Sequence, residues 1–190
     1  MNLVAIRERL AVIPDITLTE TEYDKKGYCL DIQVSAETLV RTVTEISAAG
    51  FFIEAITGVD WLGEKMARYK ETVDRIKAIT AAAAKAAAEK GEEPPPAPPL
   101  PQPPENPLDD LEVVYDFNHF HRFCRIVVRV RMPRNTPQLP TISNIFPGAD
   151  WHERETHDFF GIKFIGHPNL APLLLPEDAD FHPLLKDFKA

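Results

Sequence analysis

The sequence predicts an α+β fold, in which helices cover a mixed or antiparallel sheet and an extended C-terminal tail follows. Apolar residues recur at helical spacing in some segments and alternate at strand spacing in others. These segments run helix, strand, helix, strand, then strand, strand, helix and strand, an order that fits helices packed on a sheet. The tail is predicted because no long helix survives its four prolines, Pro168, Pro172, Pro176 and Pro183.

The composition excludes several functions. The net charge of -8, from 29 acidic and 21 basic residues, disfavours nonspecific binding to nucleic acid or to anionic lipid. Cys29 and Cys124 are too few for a four-cysteine zinc or iron–sulfur site, so free thiols in a reducing compartment are predicted. No apolar run approaches the ~20 residues that span a bilayer, and no secretory signal is recognisable at the N-terminus. We therefore expect a soluble chain whose membrane contact is indirect.

The first half contains four predicted elements. Apolar spacing indicates a helix over residues 3–13 and a strand over 28–34 whose even-numbered side chains point inward. A second helix, capped by Ser35, ends near Gly50, and residues 51–58 form the next strand.

An Ala/Pro-rich insertion then interrupts the pattern at residues 64–107. Residues 64–90 favour a helix that Gly91 closes, and residues 92–107 hold half of all prolines. Such a tract predicts a semi-rigid linker, with a ligand for an SH3- or WW-type groove as the alternative. We accordingly predict one domain over residues 1–165, interrupted by this insertion, and an extended tail over 166–190. The tail is predicted to bind a partner, with packing over its own domain as the alternative.

Two further strands, at residues 111–118 and 123–132, are predicted to form a hairpin. A loop and a short helix or turn then lead to the next helix. Five arginines of this region form a strip that is interpreted as a solvated face or as partners for carboxylates of the same chain: Arg122, Arg125, Arg129, Arg131 and Arg134.

Charged and aromatic residues are most concentrated at residues 151–164. Asp150 and Glu153 have the spacing of a capping box, and Gly161 suits a helix end, so a helix is predicted over residues 151–160. A helical wheel places five residues on the side expected to pack inward: Trp151, Glu155, Asp158, Phe159 and Ile162. Two carboxylates on an inward face need partners.

Three interpretations of these carboxylates remain open. They form salt bridges within the chain, with Arg154, Arg125 or Arg129, or they belong to a docking surface, or they form an acid/base site. If the acid/base site holds a metal ion, the protein would be a metal-dependent enzyme that uses His152, Glu155, His157 and Asp158. This alternative is disfavoured because the two histidines stand five residues apart, about 140° around the helix, so they cannot share one metal.

Three motifs in one order, at residues 153–170, 174–178 and 182–188, closely resemble the signature of the 30 kDa subunit, also called the C subunit, of proton-pumping NADH:quinone oxidoreductase, respiratory complex I. The likeness extends to residues 59–61 and 113–115. The resemblance implies a non-catalytic, cofactor-free subunit of the peripheral arm, on the cytoplasmic side of the inner (plasma) membrane. It would pack against the large D subunit, which helps form the quinone site, and against other peripheral-arm subunits.

Iron–sulfur clusters and flavin would then reside in partner subunits. The module is also similar to subunits of membrane-bound energy-converting hydrogenases and formate hydrogenlyases, whose partner is the nickel–iron large subunit, and Ala171, Pro172, Phe181 and Leu185 keep this alternative open. No catalytic, cofactor-binding or metal-ligating residue is expected. The residues assigned to structure and interface are Glu153, Arg154, Glu155, Asp158, Phe160, Gly161, Gly166, His167, Pro168, Leu174, Pro176, His182, Pro183, Lys186 and Asp187.

Overall fold

The computed structural model describes residues 3–90, 95–104 and 109–189, with the backbone alone at 88–90. The chain divides into two compact units, Met1–Trp61 with Asp110–Ala190, and Leu62–Asp109. In chain order the elements are α1 (Leu3–Leu10), β1 (Thr17–Glu20), α2 (Tyr23–Lys26), β2 (Leu30–Val34), α3 (Ala36–Ala48), β3 (Phe51–Asp60), α4 (Glu64–Lys90), β4 (Asp110–His119), β5 (Arg125–Pro133), β6 (Gln138–Pro140), α5 (Ala149–Phe160) and β7 (Lys163–Ile165). All except α4 belong to the first unit.

A five-stranded mixed sheet organises the first unit, in the order β1-β2-β5-β4-β3. Strand β2 runs parallel to β5, whereas the pairs β1·β2, β3·β4 and β4·β5 are antiparallel. The predicted α+β class is therefore confirmed, as is the hairpin of β4 and β5. Strands β6 and β7 form a second, parallel sheet of two strands. Since β6 precedes α5 and β7 follows it, this pairing places the segments before and after the helix side by side.

Strand alternation assigns one face of the main sheet to the core. Leu30, Ile32 and Val34 of β2 are buried, as the predicted even-numbered face requires. The strand pairing continues this face through alternate residues of β5 and β4, and the core also takes in side chains from α1 and α3. Helix α3 uses the stripe expected from its spacing and is capped reciprocally by Ser35 and Thr38.

The opposite sheet face carries ion pairs. The Nε of Arg129 lies 2.9 Å from the Asp31 carboxylate, and the Nε of Arg131 lies 3.4 Å from that of Glu112. Arg125 likewise lies close to carboxylates of β3 and β4. These three members of the arginine strip therefore pair with carboxylates of neighbouring strands. This agrees with the interpretation of the strip as partners for carboxylates of the same chain.

The second unit consists of α4 and a proline-rich segment. The carboxylate of Asp109 accepts hydrogen bonds from the backbone N–H groups of Gly63 and Lys65, where α4 begins. Residues 95–104 have no regular secondary structure, and several of them line pockets together with α4 side chains. The predicted helix stop at Gly91 and the linker residues 92–94 and 105–107 lie outside the described residues. None of the helices in the described ranges is both long and apolar enough to cross a membrane.

Close packing of α5 on β3 depends on a glycine. A Cβ atom at Gly58 would overlap the aromatic ring of Phe160, which lies directly on the strand. The Gly58→Ala substitution should lower the free energy of unfolding by about 1–3 kcal/mol, because the core must shift to admit the methyl group. Urea denaturation measures this loss. Gly148→Ala is the matched control, since its Cβ would meet only Ile53 at an ordinary 3.6 Å. An equal loss in both variants would contradict the expected overlap.

Candidate functional site

Helix α5 begins at Ala149, two residues earlier than predicted. Its N-cap residue is Gly148, which makes no side-chain capping bond, so the predicted capping box of Asp150 and Glu153 is wrong. Gly161 does end the helix, with φ at 72° and its N–H bonded to the His157 carbonyl.

The buried face of α5 also differs from the predicted one. It consists of Ala149, Glu153 and Thr156, whereas Trp151 is 62% exposed. Asp158 is buried as well, but it stands about 180° around the helix from Ala149 and is covered by the tail. Of the five residues expected inward, only Asp158 and Ile162 are buried. A helical wheel oriented by the large side chains predicts the wrong face, because the side of α5 that faces the domain carries Glu153 and two small residues.

Glu153 is fully buried and holds the loop that follows β6. Its Oε1 accepts the backbone N–H of Ile142 at 2.8 Å, and its Oε2 accepts the Thr141 hydroxyl at 2.5 Å. The Thr141 hydroxyl also lies 2.8 Å from that of Ser143. Glu153 is therefore bonded to a loop rather than to an arginine. The interpretation that inward carboxylates of this helix pair with Arg125 or Arg129 is wrong, because both arginines lie against carboxylates of the strands.

Burial raises the pKa of Glu153 to about 7. The bonds from Ile142 and Thr141 favour the ionised form but only partly offset the burial, and the nearby Asp150 raises the pKa further. Tyr115 is also fully buried, and its hydroxyl has no hydrogen-bond partner among the described residues. Burial, and then the charge of Glu153, hold the pKa of Tyr115 well above its ordinary value.

His167 places the start of the tail against α5. The N–H of Asn169 donates to its Nδ1 at 3.1 Å, so the ring hydrogen is on Nε2, which lies 3.3 Å from the Asp150 carbonyl oxygen. The same Nε2 lies 3.8 Å from the Glu153 carboxylate, and the His167 side chain has no exposed surface. At Gly166, where φ is 86°, the chain turns away from β7.

Asp158 binds the middle of the tail through one carboxylate oxygen. Its Oδ2 accepts the N–H groups of Leu173, Leu174 and Leu175 at 2.7, 2.8 and 3.3 Å. Burial opposes ionisation of this carboxyl, but the three N–H groups outweigh it and hold its pKa below the ordinary value.

Arg154 binds the tail immediately before Leu173. Its guanidinium donates to the carbonyl oxygens of Ala171 and Pro172, both at 2.9 Å. The predicted pairing of Arg154 with helix carboxylates is therefore replaced by bonds to the tail backbone. Arg154 and Asp158 both bind the backbone of the tail and are not paired with each other.

The end of the tail is fixed at two further points. The Nδ1 of His182 donates to the Asp158 carbonyl at 2.8 Å, and the ring lies so close to Gly161 that a Cβ atom there would approach it to 2.6 Å. Gly161 is thus required both for its positive φ and for space.

The last anchor of the tail is the carboxylate of Asp60, at the end of β3. The Asp60 carboxylate accepts the N–H of Lys186 at 2.8 Å and is paired with Arg134 at 3.2 Å. Arg134 also pairs with Asp187 and thereby lowers the pKa of the Asp187 carboxyl. Thr141 and Asp60 were not assigned to this site from the sequence, where the resemblance at residues 59–61 was the signal for Asp60. Arg134 was predicted only as a member of the arginine strip, and its pairing with two carboxylates agrees with the second interpretation of that strip.

The tail is held by polar contacts and by Leu170 and Leu185, which pack against the core, while four of its large apolar side chains remain exposed. Leu174, Phe181, Leu184 and Phe188 are all exposed, and the rings of Phe181 and Phe188 stack at 5.6 Å. Of the three prolines assigned to the interface, Pro168 and Pro176 are exposed and Pro183 is half-buried.

The four residues of the metal-enzyme alternative are used differently. His157 is bonded through Nδ1 to the Ile162 carbonyl oxygen at 2.9 Å, and Asp158 is occupied by tail N–H groups. In the described ranges, no group of three or more histidine, cysteine, aspartate or glutamate side chains could hold a metal ion.

This geometry defines a class of protein in which an α+β domain fixes its own C-terminal segment and presents apolar side chains along it. The chain belongs to the family described as the 30 kDa subunit of the respiratory-chain NADH dehydrogenase, whose family model matches residues 32–190. The match includes α5 and the tail, which confirms the resemblance found in the motifs.

Individual relatives match a shorter part of the chain. The NADH-quinone oxidoreductase C subunit of Roseiflexus sp. (strain RS-1) is 47% identical over 76 residues, 40% of this chain and 44% of the relative. That of Mycobacteroides abscessus is 47% identical over 64 residues, 34% and 28% of the two chains. The C/D subunit of Erwinia tasmaniensis is 41% identical over 78 residues, 41% of this chain and 13% of the relative. The aligned part therefore spans less than half of each relative.

Two solved structures share the fold. A chain of the membrane-bound sulfane sulfur reductase, an archaeal respiratory membrane complex, gives a TM-score of 0.65 at 19% identity and covers 98% of this chain and 84% of its own. The trypsin-resistant fragment of Nqo5 gives 0.54 at 23% identity, covering 90% and 100%. Both likenesses concern the fold alone.

Proposed function

We propose that this chain is a non-catalytic subunit of the peripheral arm of a proton-pumping NADH:quinone oxidoreductase. In this role it would pack against a homologue of the large D subunit, which helps form the quinone site. The observation that carries the proposal is the family match over residues 32–190, which includes the helix and tail that form the site. The chain would supply a surface for assembly, with flavin and iron–sulfur clusters in other subunits.

The arrangement of the tail supports docking. Backbone groups that a mobile tail would leave to water are instead bonded to Arg154, Asp158 and Asp60. The conformational entropy of the tail is therefore lost before a partner binds, which leaves its exposed apolar side chains ready for an interface. Apolar side chains exposed together along one segment mark an interaction surface in many proteins.

The large D subunit is the proposed partner because the relative from Erwinia tasmaniensis is a C/D subunit, two subunits in one chain. Fusion of two subunits in one chain favours an arrangement in which they lie close together in their complex. The proposed location is the cytoplasmic side of the membrane, with membrane contact only through other subunits.

Isolation of the native complex tests the proposal. A tagged copy of this chain, purified from gently solubilised membranes, should bring down the homologue of the large D subunit and the NADH-binding flavoprotein subunits, together with NADH:quinone reductase activity. Mass spectrometry identifies the partners. Recovery of a nickel–iron large subunit would instead support the hydrogenase alternative. Absence of stoichiometric metal from the purified chain would eliminate the metal-dependent enzyme.

A further inference from the structure

Two aromatic residues and one carboxylate form an outward stripe on α5. Trp151, Glu155 and Phe159 stand four residues apart and therefore lie on one side of the helix. Trp151 is exposed, and the other two are half-buried. The exposed Leu184 of the tail extends the stripe, since its N–H donates to the Phe159 carbonyl at 3.2 Å. We call these four residues the outer stripe.

The charge of Glu155 is not used within the described chain. Its neighbours Glu153, Arg154 and Asp158 all make hydrogen bonds, whereas Glu155 has no hydrogen bond or ion pair with any described residue. It lines a shallow pocket whose other walls include Ile56, Phe159, Phe160 and Leu184. A carboxylate among such side chains is stable while water reaches it.

An interface over the outer stripe would remove that water. Covering Glu155 with apolar groups alone would bury an unpaired charge, which costs several kcal/mol. A partner that covers the stripe must therefore bring a cation to Glu155. Arginine suits this position better than lysine, because its planar guanidinium bonds a carboxylate through two N–H groups and packs on aromatic rings. Arg154 already packs in this way on Trp151, with its guanidinium carbon 5.3 Å from the ring centre.

We propose that the outer stripe docks a segment of the large D-subunit homologue that carries an arginine between apolar side chains, with the guanidinium paired to Glu155. The inference rests on the proposed function and specifies which surface and which chemistry form the contact. The stripe is continuous with the exposed side chains of the anchored tail, so one partner covers both. The negative charge of Glu155 favours a partner segment that carries an arginine.

The test uses the assembled complex. Cells express the full set of subunits with tagged wild-type chain, Glu155→Gln, Glu155→Arg or Phe159→Ala, and retention of the large D-subunit homologue is measured in rising NaCl. Loss of one partner of a buried charge pair weakens binding by about 30-fold or more, so Glu155→Gln should release the partner at lower salt. Glu155→Arg should release it entirely, and changing one arginine of that large partner to glutamate should restore binding. Phe159→Ala should also weaken retention.

Glu8→Gln and Glu8→Arg are the matched controls, because Glu8 is an exposed carboxylate on another helix, α1. Thermal melting of each purified chain verifies that it remains folded. Equal retention of the Glu155 and Glu8 variants overturns the inference and leaves the proposed function standing. Absence of a large D-subunit homologue from the wild-type complex overturns the proposed function, and the inference falls with it.

Discussion

Replacing Glu153 with glutamine should remove most of the change in stability of the first unit between pH 4.5 and 7. The pKa of Glu153 is about 7 in the folded chain against 4.5 as its ordinary value, so the folded state binds the proton more tightly. The contribution of the protonated group to the free energy of unfolding is therefore complete below about pH 4.5. It declines as the pH rises and is lost above about 7, a change of about 3 kcal/mol.

Glutamine reproduces the protonated carboxyl. Its amide oxygen can accept the N–H of Ile142, and its amide nitrogen can donate to the Thr141 hydroxyl, in place of the two bonds that Glu153 makes. Glu153→Gln should therefore equal the wild type below pH 4.5 and exceed it by about 3 kcal/mol above pH 7. Chemical denaturation across pH 4 to 8 measures the difference, in which the titration of all other groups cancels.

The alanine variant separates the bonds from the charge. Glu153→Ala leaves the N–H of Ile142 and the Thr141 hydroxyl without their buried partner and opens a cavity, so we expect a loss of about 3 kcal/mol below pH 4.5. The difference from the wild type should shrink as the pH rises to 7, because the wild type loses the contribution of protonated Glu153 over this range and the alanine variant has none to lose. Glu155→Gln is the matched control for removal of a charge from the same helix, because Glu155 has no hydrogen bond or ion pair with any described residue. A pH profile of Glu153→Gln parallel to that of the wild type would show that folding does not raise the pKa of Glu153.

Local patterns were sufficient to predict most of the fold. The alternation in residues 28–34 correctly assigned the inward face of β2, and the spacing in residues 35–50 correctly assigned α3, because both segments bury one apolar face. The β4–β5 hairpin followed from two apolar runs joined by a short polar turn. The parallel pairing of β2 with β5 could not be predicted from local patterns, because it joins residues about a hundred positions apart and depends on the whole sheet.

The same reasoning failed at α5 because hydrophobicity does not decide what this helix buries. Glu153 goes inward since the backbone of Ile142 and the Thr141 hydroxyl complete its bonds, and neither group can be recognised in the sequence as a partner. Trp151 is exposed and Phe159 is half-buried. The two buried carboxylates of α5 each bind a chain segment, Glu153 the loop after β6 and Asp158 the tail, and these partners could not be predicted from hydrophobic spacing.

Removing the Asp158 carboxylate should release the tail from α5. Asp158→Ala takes away the shared acceptor of the N–H groups of Leu173, Leu174 and Leu175, and bonds to a charged group contribute about 1.5–3 kcal/mol each. We expect amide hydrogen exchange at these three positions to accelerate by about 100-fold or more, with the core strands unchanged.

The control and the pH dependence sharpen this prediction. Asp180→Asn removes an exposed carboxylate of the same tail and should leave exchange unaltered. Because the pKa of Asp158 is lowered in the folded chain, its contribution is present above the ordinary value of 3.8 and is lost as the pH falls through the lowered one. Acidification should thus mobilise the tail of the wild type but not alter that of Asp158→Ala. Unchanged protection of Leu173, Leu174 and Leu175 in Asp158→Ala would mean that Arg154, His182 and Asp60 suffice to hold the tail.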